Sequence, residues 1–463
     1  MSVSIALFTQ DLRLHDNPVL HAARSAADRV VPLFVLDPAV EGAGFAAPNR
    51  QAFLADCLTD LDASLRRIGS RLVVRRGEPA EQAARVAAEA EAGAGAGARA
   101  GVEAGAGARV GAGTTTVHVA AGVSAFAQRR EARLREVFGD RLHVHDASLT
   151  VVPAGRITPA GRDHYAVFTP YHRAWQQVPR RTVLGAPRVL DAPSGIGSEN
   201  LLLTGPLSPA LPPGGESAAR ERWRRWDVDG YARVHDDLAA DATSRLSPYL
   251  HFGCLSPTEL VERALRHDGE GARTFVRQLA WRDFHHQVLA ARPDSAHRDY
   301  RARNDRWHRD EREAEAWRQG RTGYPIVDAG MRQLAEEGWM HNRARLLTAG
   351  FLAKCLYLDW RIGAAHFLSL LVDGDVADNQ LNWQWVAGTG TDTRPNRVLN
   401  PLRQADRYDP DGAYVRRWVP ELAHLPGPAV HRPWLLDPTP DYPAPLIAPD
   451  ALTSRFRRAR GLD

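Results

Sequence analysis

The chain has 463 residues, of which 44% are hydrophobic and 25% charged, and its formal net charge is +4. This composition is typical of a folded globular protein, excludes wholesale disorder, and permits a polyanionic partner without requiring one. The length is too great for one ordinary core and predicts two domains. Because no stretch of 18 apolar residues and no secretory signal pattern occurs, we expect a cytoplasmic protein that does not span a membrane.

The cysteines and lysines are few. Cys57, Cys254 and Cys355 form no Cys-x-x-Cys pair, and this odd number of thiols indicates neither a disulfide framework nor a zinc site. We therefore expect no metal. Lys354 is the only lysine, so nearly all the positive charge is arginine, whose planar fork suits phosphate and aromatic faces. A GC-rich coding sequence explains the same bias more simply.

Short β-branched runs alternate with helical patterns in the first third of the chain. Strands are predicted at 4–9, 30–36 and 71–76, with helices between them, and further strands at 115–121 and 142–146. This alternation predicts an α/β domain over residues 1–140 with a parallel, Rossmann-like sheet. No Gly-x-Gly-x-x-Gly follows the first strand, so the ordinary dinucleotide fingerprint is absent.

The rest of the chain divides by composition. Residues 90–113 are mostly Ala and Gly and predict a disordered insertion, because small side chains bury too little surface to offset chain entropy. The range 141–215, rich in Pro, Gly and Ser towards its end, is interpreted as an interdomain linker. From residue 216 to 463, apolar residues at spacings of three and four predict an all-helical domain that contains most of the twelve tryptophans.

Several short motifs follow one another in the helical half. The hydroxyl-rich segment 243–250 precedes a helical run and suits helix capping or, less commonly, the binding of phosphate oxygens. Each of the other motifs is common in turns or on solvated helices: Trp281-Arg282-Asp283-Phe284, Gly323 to Arg332, Gly338 to Arg345, Asp373-Gly374-Asp375, Asn382 to Trp385, and Gly388 to Asp392.

In this order and at this spacing, the motifs resemble the C-terminal flavin domain of the photolyase/cryptochrome family. The resemblance runs from about Tyr231 to His431 and extends to Asp11–Leu20 near the N-terminus. It implies that the all-α domain binds FAD, which is reduced and anionic when active. The residues implied to hold FAD are Tyr231, Thr243, Ser244, Arg245, Leu246, Ser247, Gln278, Arg282, Asn342, Arg345, Asp373, Gly374, Asp375 and Asn379.

The resemblance also implies roles in electron transfer and in catalysis. Trp383, Trp360 and Trp307 match a tryptophan chain that relays an electron from the surface to the photoexcited oxidised flavin. Asn379 matches the residue that faces flavin N5, where a neutral amide favours the anionic reduced state. The residues implied to act in catalysis are Gln278, Trp281, Asn342, Asn379 and Trp385.

The implied substrate is UV-damaged DNA. A lesion must leave the duplex stack to reach a donor buried in a protein, and Trp281 and Trp385 match the aromatic pair that packs against it. The residues implied to contact DNA are Gln278, Trp281, Asn342, Arg343, Trp385 and Arg397. We therefore expect a deoxyribodipyrimidine photo-lyase that uses blue light to split cyclobutane pyrimidine dimers.

One departure from the family pattern concerns the lesion contact. Gln278 stands where well-known dimer-splitting members have Glu, and Gln also occurs there in the (6-4) branch. That branch uses two histidines where this chain has Asn342 and Leu346, so proton transfer for (6-4) repair lacks an evident agent. A cryptochrome photoreceptor and a flavin-bearing DNA-binding module without catalysis also stay open. Asn379 and the retained Trp281, Asn342 and Trp385 argue against both.

The resemblance implies that the α/β domain binds a light-harvesting antenna. Folate-binding members carry Asn-Glu where this chain reads Ala125-Phe126, so 8-hydroxy-deazaflavin is favoured over methenyltetrahydrofolate. A monomer is expected.

Overall fold

The computed structural model describes residues 1–43, 45–94, 114–200 and 205–462. Its N-terminal region contains a five-stranded parallel sheet in the order β3-β2-β1-β4-β5. From the central β1, the chain first adds strands on one side and then on the other, as in a doubly wound fold. The strands are β1 (Val3–Phe8), β2 (Arg29–Leu36), β3 (Val73–Arg76), β4 (Thr116–Ala120) and β5 (Leu142–His145).

Both faces of the sheet are buried, which explains the nearly continuous apolar runs of its strands. Ile5 and Leu7 of β1 belong to one core cluster, whereas Ala6 and Phe8, on the opposite face, belong to another. Helices α1 (Pro18–Ala26) and α3 (Pro48–Arg67) share the cluster of Ala6 and Phe8, and α4 (Pro79–Ala94) and α5 (Ala125–Phe138) share that of Ile5 and Leu7. The short α2 (Ala39–Gly42) has no buried residue. The predicted parallel α/β fold is confirmed.

Two predicted ranges differ from the observed elements. Helix α4 extends to Ala94, so it includes the first residues of the insertion predicted at 90–113; Ala and Glu are strong helix formers. Residues 95–113 lie outside the described residues. The range predicted as a linker, 141–215, contains the edge strand β5 and helix α6 (Phe168–Gln177). The strand predicted at 142–146 is β5, so the domain boundary predicted at residue 140 falls just before the last strand of the sheet.

From residue 216 the described chain is helical, apart from one isolated β-bridge between His308 and Leu358. Its longest helix runs over 22 residues. The α-helices are α7 (Glu216–Arg225), α8 (Tyr231–Val234), α9 (Ser247–His251), α10 (Pro257–Ala264), α11 (Glu270–Ala291), α12 (Glu311–Arg318), α13 (Pro325–Glu337), α14 (Asn342–Gly350), α15 (Trp360–Leu370), α16 (Val376–Ala387), α17 (Pro401–Tyr408), α18 (Ala413–Trp418) and α19 (Ser454–Ala459).

Shorter helical turns complete the chain. Phe351–Cys355 forms a π-helical turn directly after α14. Single 3-10 turns occur at Gly139–Arg141, Pro293–Ala296, Pro420–Leu422, Gly427–His431, Pro433–Leu435 and Pro449–Ala451. None of the helices in the described ranges has the length and apolarity needed to cross a membrane.

Buried polar groups join the sheet to the helical half. Arg13 donates to the carbonyl of Gly253 at 3.0 Å and to that of Ser148 at 2.9 Å. Asp16 accepts from Arg181 at 2.7 Å and from the Ser256 hydroxyl. Gly253 and Ser256, the N-cap of α10, belong to the helical half, so these hydrogen bonds fix the start of α10 against the loop that follows β1.

Candidate functional site

Three helices carry nine of the predicted site residues. Helix α11 carries Gln278, Trp281 and Arg282, and helix α16 packs against it with Asn379, Trp383 and Trp385. Helix α14, which also contacts α16, carries Asn342, Arg343 and Arg345. Residues far apart in the sequence therefore meet around one region.

The segment 243–247 reaches this region as a strained turn. Arg245 has a φ of +50°, and its guanidinium donates to Asp241 at 2.6 Å and to Glu337 at 3.0 Å. It also lies 4.3 Å from the Trp339 ring centroid. Arg245 is thus held by two carboxylates of the protein. Their negative charges offset part of the positive charge that its guanidinium could offer to a phosphate. Beside it, the Ser247 hydroxyl accepts from the Trp339 indole at 3.1 Å.

The remaining members of the segment line the same turn. Leu246 is buried, and its backbone N–H donates to the Ser244 hydroxyl at 3.4 Å. The carbonyl of Ser244 accepts from Arg222 at 2.7 Å, while the Thr243 hydroxyl is buried without a hydrogen-bond partner among the described residues. Tyr231 packs against Trp226 with ring centroids 5.2 Å apart, and burial raises its pKa to about 12.

Two carboxylates lie on the turn before α16. Asp373 accepts from Arg345 at 2.8 Å, and Asp375 caps α16 by accepting from the backbone N–H of Asp378. A Cβ on Gly374 would lie 2.7 Å from Nη1 of Arg50, which donates to the Leu371 carbonyl at 2.8 Å. A side chain from α3 of the sheet domain therefore holds the turn, and glycine leaves room for it.

Histidines surround Asp375. Its carboxylate lies 3.3 Å from Nε2 of His286. Burial alone would raise the pKa of Asp375, but His286, Arg282 and His251 outweigh burial and hold it well below its usual value. Burial also lowers the pKa of His251 to about 4, so this imidazole is neutral at pH 7. The cluster thus combines an ionised carboxylate with a neutral ring.

Several polar atoms of this region are buried without hydrogen-bond partners in the described parts of the chain. Buried polar atoms are nearly always paired, so such a concentration indicates that a polar ligand completes the site. A flavin, which has polar groups along its ring edge, ribityl chain and phosphates, fits this donor and acceptor set. The atoms are Thr243 Oγ1, His251 Nδ1, His286 Nδ1, Asp373 Oδ1 and Trp383 Nε1.

The side chains of Asn379 and Arg282 each donate a hydrogen bond to a backbone carbonyl. The Asn379 amide donates to the Ala364 carbonyl at 3.2 Å and to the Gln380 side chain at 3.1 Å. Arg282 donates to the Leu149 carbonyl at 2.5 Å. These bonds fix the Asn379 side chain against α15 and leave its orientation well defined.

The three predicted relay tryptophans share one core cluster, with Trp307 at its half-buried margin. Trp383 is 2% exposed, and a Cβ on Gly363 would lie 2.1 Å from its ring. Trp360 is fully buried and donates its indole N–H to Asp299 at 2.9 Å. Trp307 lies 4.9 Å from Tyr357, measured between ring centroids.

The structure also brings in aromatic residues that the sequence did not single out. Trp317 is fully buried, with its ring centroid 6.0 Å from that of Trp383. Phe168 stacks on Trp281 with centroids 3.7 Å apart and planes inclined by 5°. Neither has a sequence signal beyond being aromatic, because both contacts join distant parts of the chain.

The predicted DNA-contacting residues differ in exposure. Gln278, Asn342 and Arg397 are exposed, and Trp385 is half-buried. Arg343 donates to Asp236 at 2.6 Å and lies 4.3 Å from the Tyr408 ring centroid. Arg343 is therefore paired within the protein, whereas the other polar residues of the set are open to solvent.

Fold and site together define a protein with a parallel-sheet domain and a helical domain that binds a flavin. The model for DNA photolyase matches residues 4–95 and 109–189, and that for the FAD binding domain of DNA photolyase matches residues 275–460. The chain belongs to the photolyase/cryptochrome family, and the resemblance found in the sequence is confirmed. FAD binding, also predicted from the sequence, is supported by the second match.

Individual relatives match over the full chain. A deoxyribodipyrimidine photo-lyase of Streptomyces griseus is 57% identical, with 100% of each chain covered. A class III photolyase of Agrobacterium tumefaciens is 30% identical with a TM-score of 0.86, covering 99% of this chain and 97% of that one. A photolyase of Sulfolobus tokodaii, solved with two FAD molecules, is 30% identical with a TM-score of 0.84 and 100% coverage of both chains.

Proposed function

We propose that this protein repairs cyclobutane pyrimidine dimers in UV-damaged DNA by a light-driven carbon–carbon lyase reaction. The observation that carries the proposal is the shared location of two features on α11 and α16. Of the unpaired polar atoms that fit a flavin, His286 Nδ1 lies on α11 with Trp281, and Trp383 Nε1 lies on α16 with Trp385. Both Trp281 and Trp385 suit stacking on a flipped base. The full-length similarity to the Streptomyces griseus photo-lyase supports the same reaction.

The chain's own residues bind and orient the cofactor. FAD, when bound, supplies light absorption and one-electron chemistry, and the protein supplies position and electrostatics. Arg345 and Asp373 form a pair that retains one free carboxylate oxygen for the ligand. Asn379 adds no negative charge beside the cofactor, which favours a reduced anionic flavin. Tyr231 and the segment 243–247 enclose the remaining polar part of the site.

Lesion recognition depends on stacking and on phosphate contacts. Flipping a damaged base out of a duplex costs a few kcal/mol, and aromatic stacking is worth about 1–3 kcal/mol per base, which offsets much of that cost. Trp281 suits this role because Phe168 supports its opposite face. Gln278 and Asn342 offer amide donors and acceptors, and Arg397 an exposed cation for phosphate. Arg343 would have to exchange Asp236 for a phosphate.

Trp383, Trp360 and Trp307 are proposed to carry an electron from the surface towards the cofactor. Their order runs from a buried ring near Asn379 to a half-buried ring beside Tyr357. In this arrangement the tryptophans recharge the cofactor, and the lesion-facing residues act in repair itself. The two tasks are therefore separable by mutation.

The antenna and the cellular setting stay predictions. We favour 8-hydroxy-deazaflavin over methenyltetrahydrofolate in the α/β domain, and the second FAD of the Sulfolobus tokodaii protein shows that a relative carries another chromophore. The Thr9 hydroxyl and one Asp11 oxygen, which are buried at the carboxyl end of β1 without described partners, suit a ligand at this edge of the sheet. A monomer in the cytoplasm is the proposed state.

The test is repair of a thymine-dimer oligonucleotide by the purified protein with reduced FAD, measured as restored thymines in blue light and in darkness. We expect repair in the light alone. A (6-4) oligonucleotide in parallel should stay unrepaired, because Asn342 and Leu346 offer no histidine for proton transfer. Bound, reducible FAD without repair would instead favour a photoreceptor.

A further inference from the structure

The only lysine of the chain, Lys354, is buried within the helical domain. It lies in the π-helical turn Phe351–Cys355 and is 2% exposed. A buried ammonium is costly unless polar groups surround it, and π-helical turns are frequent at functional sites. No carboxylate in the described ranges forms an ion pair with Lys354, and its hydrogen-bond acceptors are neutral backbone carbonyls.

Lys354 binds the backbone of one loop. Its Nζ donates to the carbonyl of Pro395 at 2.8 Å and to the carbonyl of Arg397. This loop, residues 388–400, joins α16 to α17. The ammonium also lies 5.0 Å from the Phe456 ring centroid, which closes its other side. Lys354 therefore uses its hydrogen bonds to fix the path of the loop.

The same loop is held tightly at its beginning. Gly388 ends α16 with a φ of +81°, and a Cβ there would lie 2.3 Å from the Pro395 carbonyl oxygen. The Thr389 carbonyl accepts from the backbone N–H of Arg301 at 2.7 Å. With its backbone fixed, the loop exposes the side chains of Arg394 and Arg397.

We propose that Lys354 is a positioning residue for DNA binding, holding residues 395–397 so that the exposed Arg397 meets the phosphates that flank the lesion. The inference rests on the proposed function, because it takes Arg397 as a DNA contact. Lys354 acts through the loop backbone and touches neither DNA nor cofactor. A fixed backbone raises affinity because less loop entropy is lost on binding.

The charge on Lys354 makes this support dependent on pH. Burial lowers its pKa to about 8; Asp392 partly opposes this effect, and Arg460 and Arg397 add to it, while Cys355 on its own turn opposes it. Above that pH the bonds to the carbonyls lose charge assistance and weaken. We expect DNA affinity to fall as pH rises through about 8.

Global stability should respond in the opposite direction. A lysine in the unfolded chain has its ordinary pKa near 10.5, so between about 8 and 10.5 the unfolded state binds more protons than the folded state. This group therefore favours the folded state increasingly as pH rises through that window. Affinity lost in that window is accordingly not explained by melting that originates at Lys354.

The first experiment compares Lys354→Met with Cys355→Ala, a matched control in the same buried turn. The FAD-loaded proteins are titrated with a thymine-dimer oligonucleotide at pH 7. We expect about tenfold weaker binding for Lys354→Met, as for the loss of a charge-assisted contact, and wild-type binding for Cys355→Ala. Gly388→Ala, which displaces the same loop from its other end, should resemble Lys354→Met. Equal affinity of Lys354→Met and wild type would overturn this inference and leave the proposed function intact.

The second experiment uses the uniqueness of this lysine and needs no substitution, so it stands even if Lys354→Met fails to fold. Isotope-labelled lysine gives a single side-chain NMR signal, whose titration in the wild-type holoenzyme should centre near pH 8. DNA affinity of the wild type should fall over the same range. A titration at the ordinary lysine value, or affinity that ignores it, would contradict the inference. Absence of DNA binding by the wild type at every pH would remove the proposed function as well.

Discussion

The two sides of the proposed flavin site differ in burial. On the side of the tryptophan relay, Trp383 and Trp360 are almost completely inaccessible and pack against fixed neighbours. On the side of the lesion, Gln278, Asn342 and Arg397 are exposed. The relay side thus resembles a protein core, and the lesion side resembles an interface that awaits its partner.

Because the two sides differ in burial, substitutions on each side should change different properties of the protein. A buried ring held by helix packing keeps its position without ligand, so substitutions there should affect electron transfer and stability together. Exposed polar residues gain their contacts only when DNA binds, so substitutions there should affect affinity and its salt dependence. A substitution on one side should therefore leave the property that depends on the other side unchanged, and that property serves as the control.

The largest effect is expected on the relay side. Trp383→Phe removes the predicted first member of the chain, so photoreduction of bound FAD should be almost completely lost. The matched control is Trp317→Phe, because Trp317 is also buried and contacts Trp383 but lies outside the predicted relay. Transient absorption measures both. A larger loss for Trp317→Phe would redirect the relay through α12.

On the lesion side, Trp281→Ala should weaken binding of dimer-containing DNA by about 1–3 kcal/mol, the worth of one stacked base. Trp281→Phe should retain most of the affinity, because a phenyl ring supported by Phe168 can still stack on the base. Fluorescence anisotropy titrations of the three proteins check this. Undiminished affinity of Trp281→Ala would exclude this ring from the lesion contact.

An intermediate effect should come from Gly363→Ala. The added Cβ would lie 2.1 Å from the Trp383 ring, and the forced shift should cost about 1–3 kcal/mol of unfolding free energy. Photoreduction should fall with it, while DNA affinity stays at the wild-type value. Urea unfolding, photoreduction and DNA titration separate these outcomes. A change in DNA affinity alone would contradict the division between the two sides.

The smallest effect is expected for Arg397→Ala. If its guanidinium contacts one phosphate, the slope of log affinity against log salt should decrease by about 1, with little dependence on sequence. Arg133→Ala is a control, since Arg133 is an exposed arginine on α5 of the sheet domain. Titrations over a range of salt concentrations give both slopes. An unchanged slope for Arg397→Ala would exclude the contact.

Much of the fold could be predicted because its signals are local. The β-branched runs of β1 and β2 and the periodic apolar residues of α11 report directly on burial. Family motifs placed Asp373 and Arg345 in one site, and the structure joins them by an ion pair. This pairing could be predicted because each of the two residues lies within a recognisable motif.

The remaining contacts could not be predicted because they join distant residues without a shared pattern. Arg50, from the sheet domain, supports the turn at Gly374, and Phe168 supports Trp281. The resemblance implies that Arg245 helps to hold FAD, but no sequence pattern indicated that Asp241 and Glu337 would pair with its guanidinium. Composition likewise gave no sign that α4 continues to Ala94, because Ala and Gly occur together there.

The most direct test is the repair activity of Trp383→Phe after chemical reduction of its FAD. The variant and wild type are reduced in the same way, mixed with a thymine-dimer oligonucleotide and exposed to blue light. Equal yields of repaired thymines are predicted, because the relay side recharges the cofactor and the lesion side performs repair. Loss of repair in the reduced, FAD-loaded variant would contradict this division of the site.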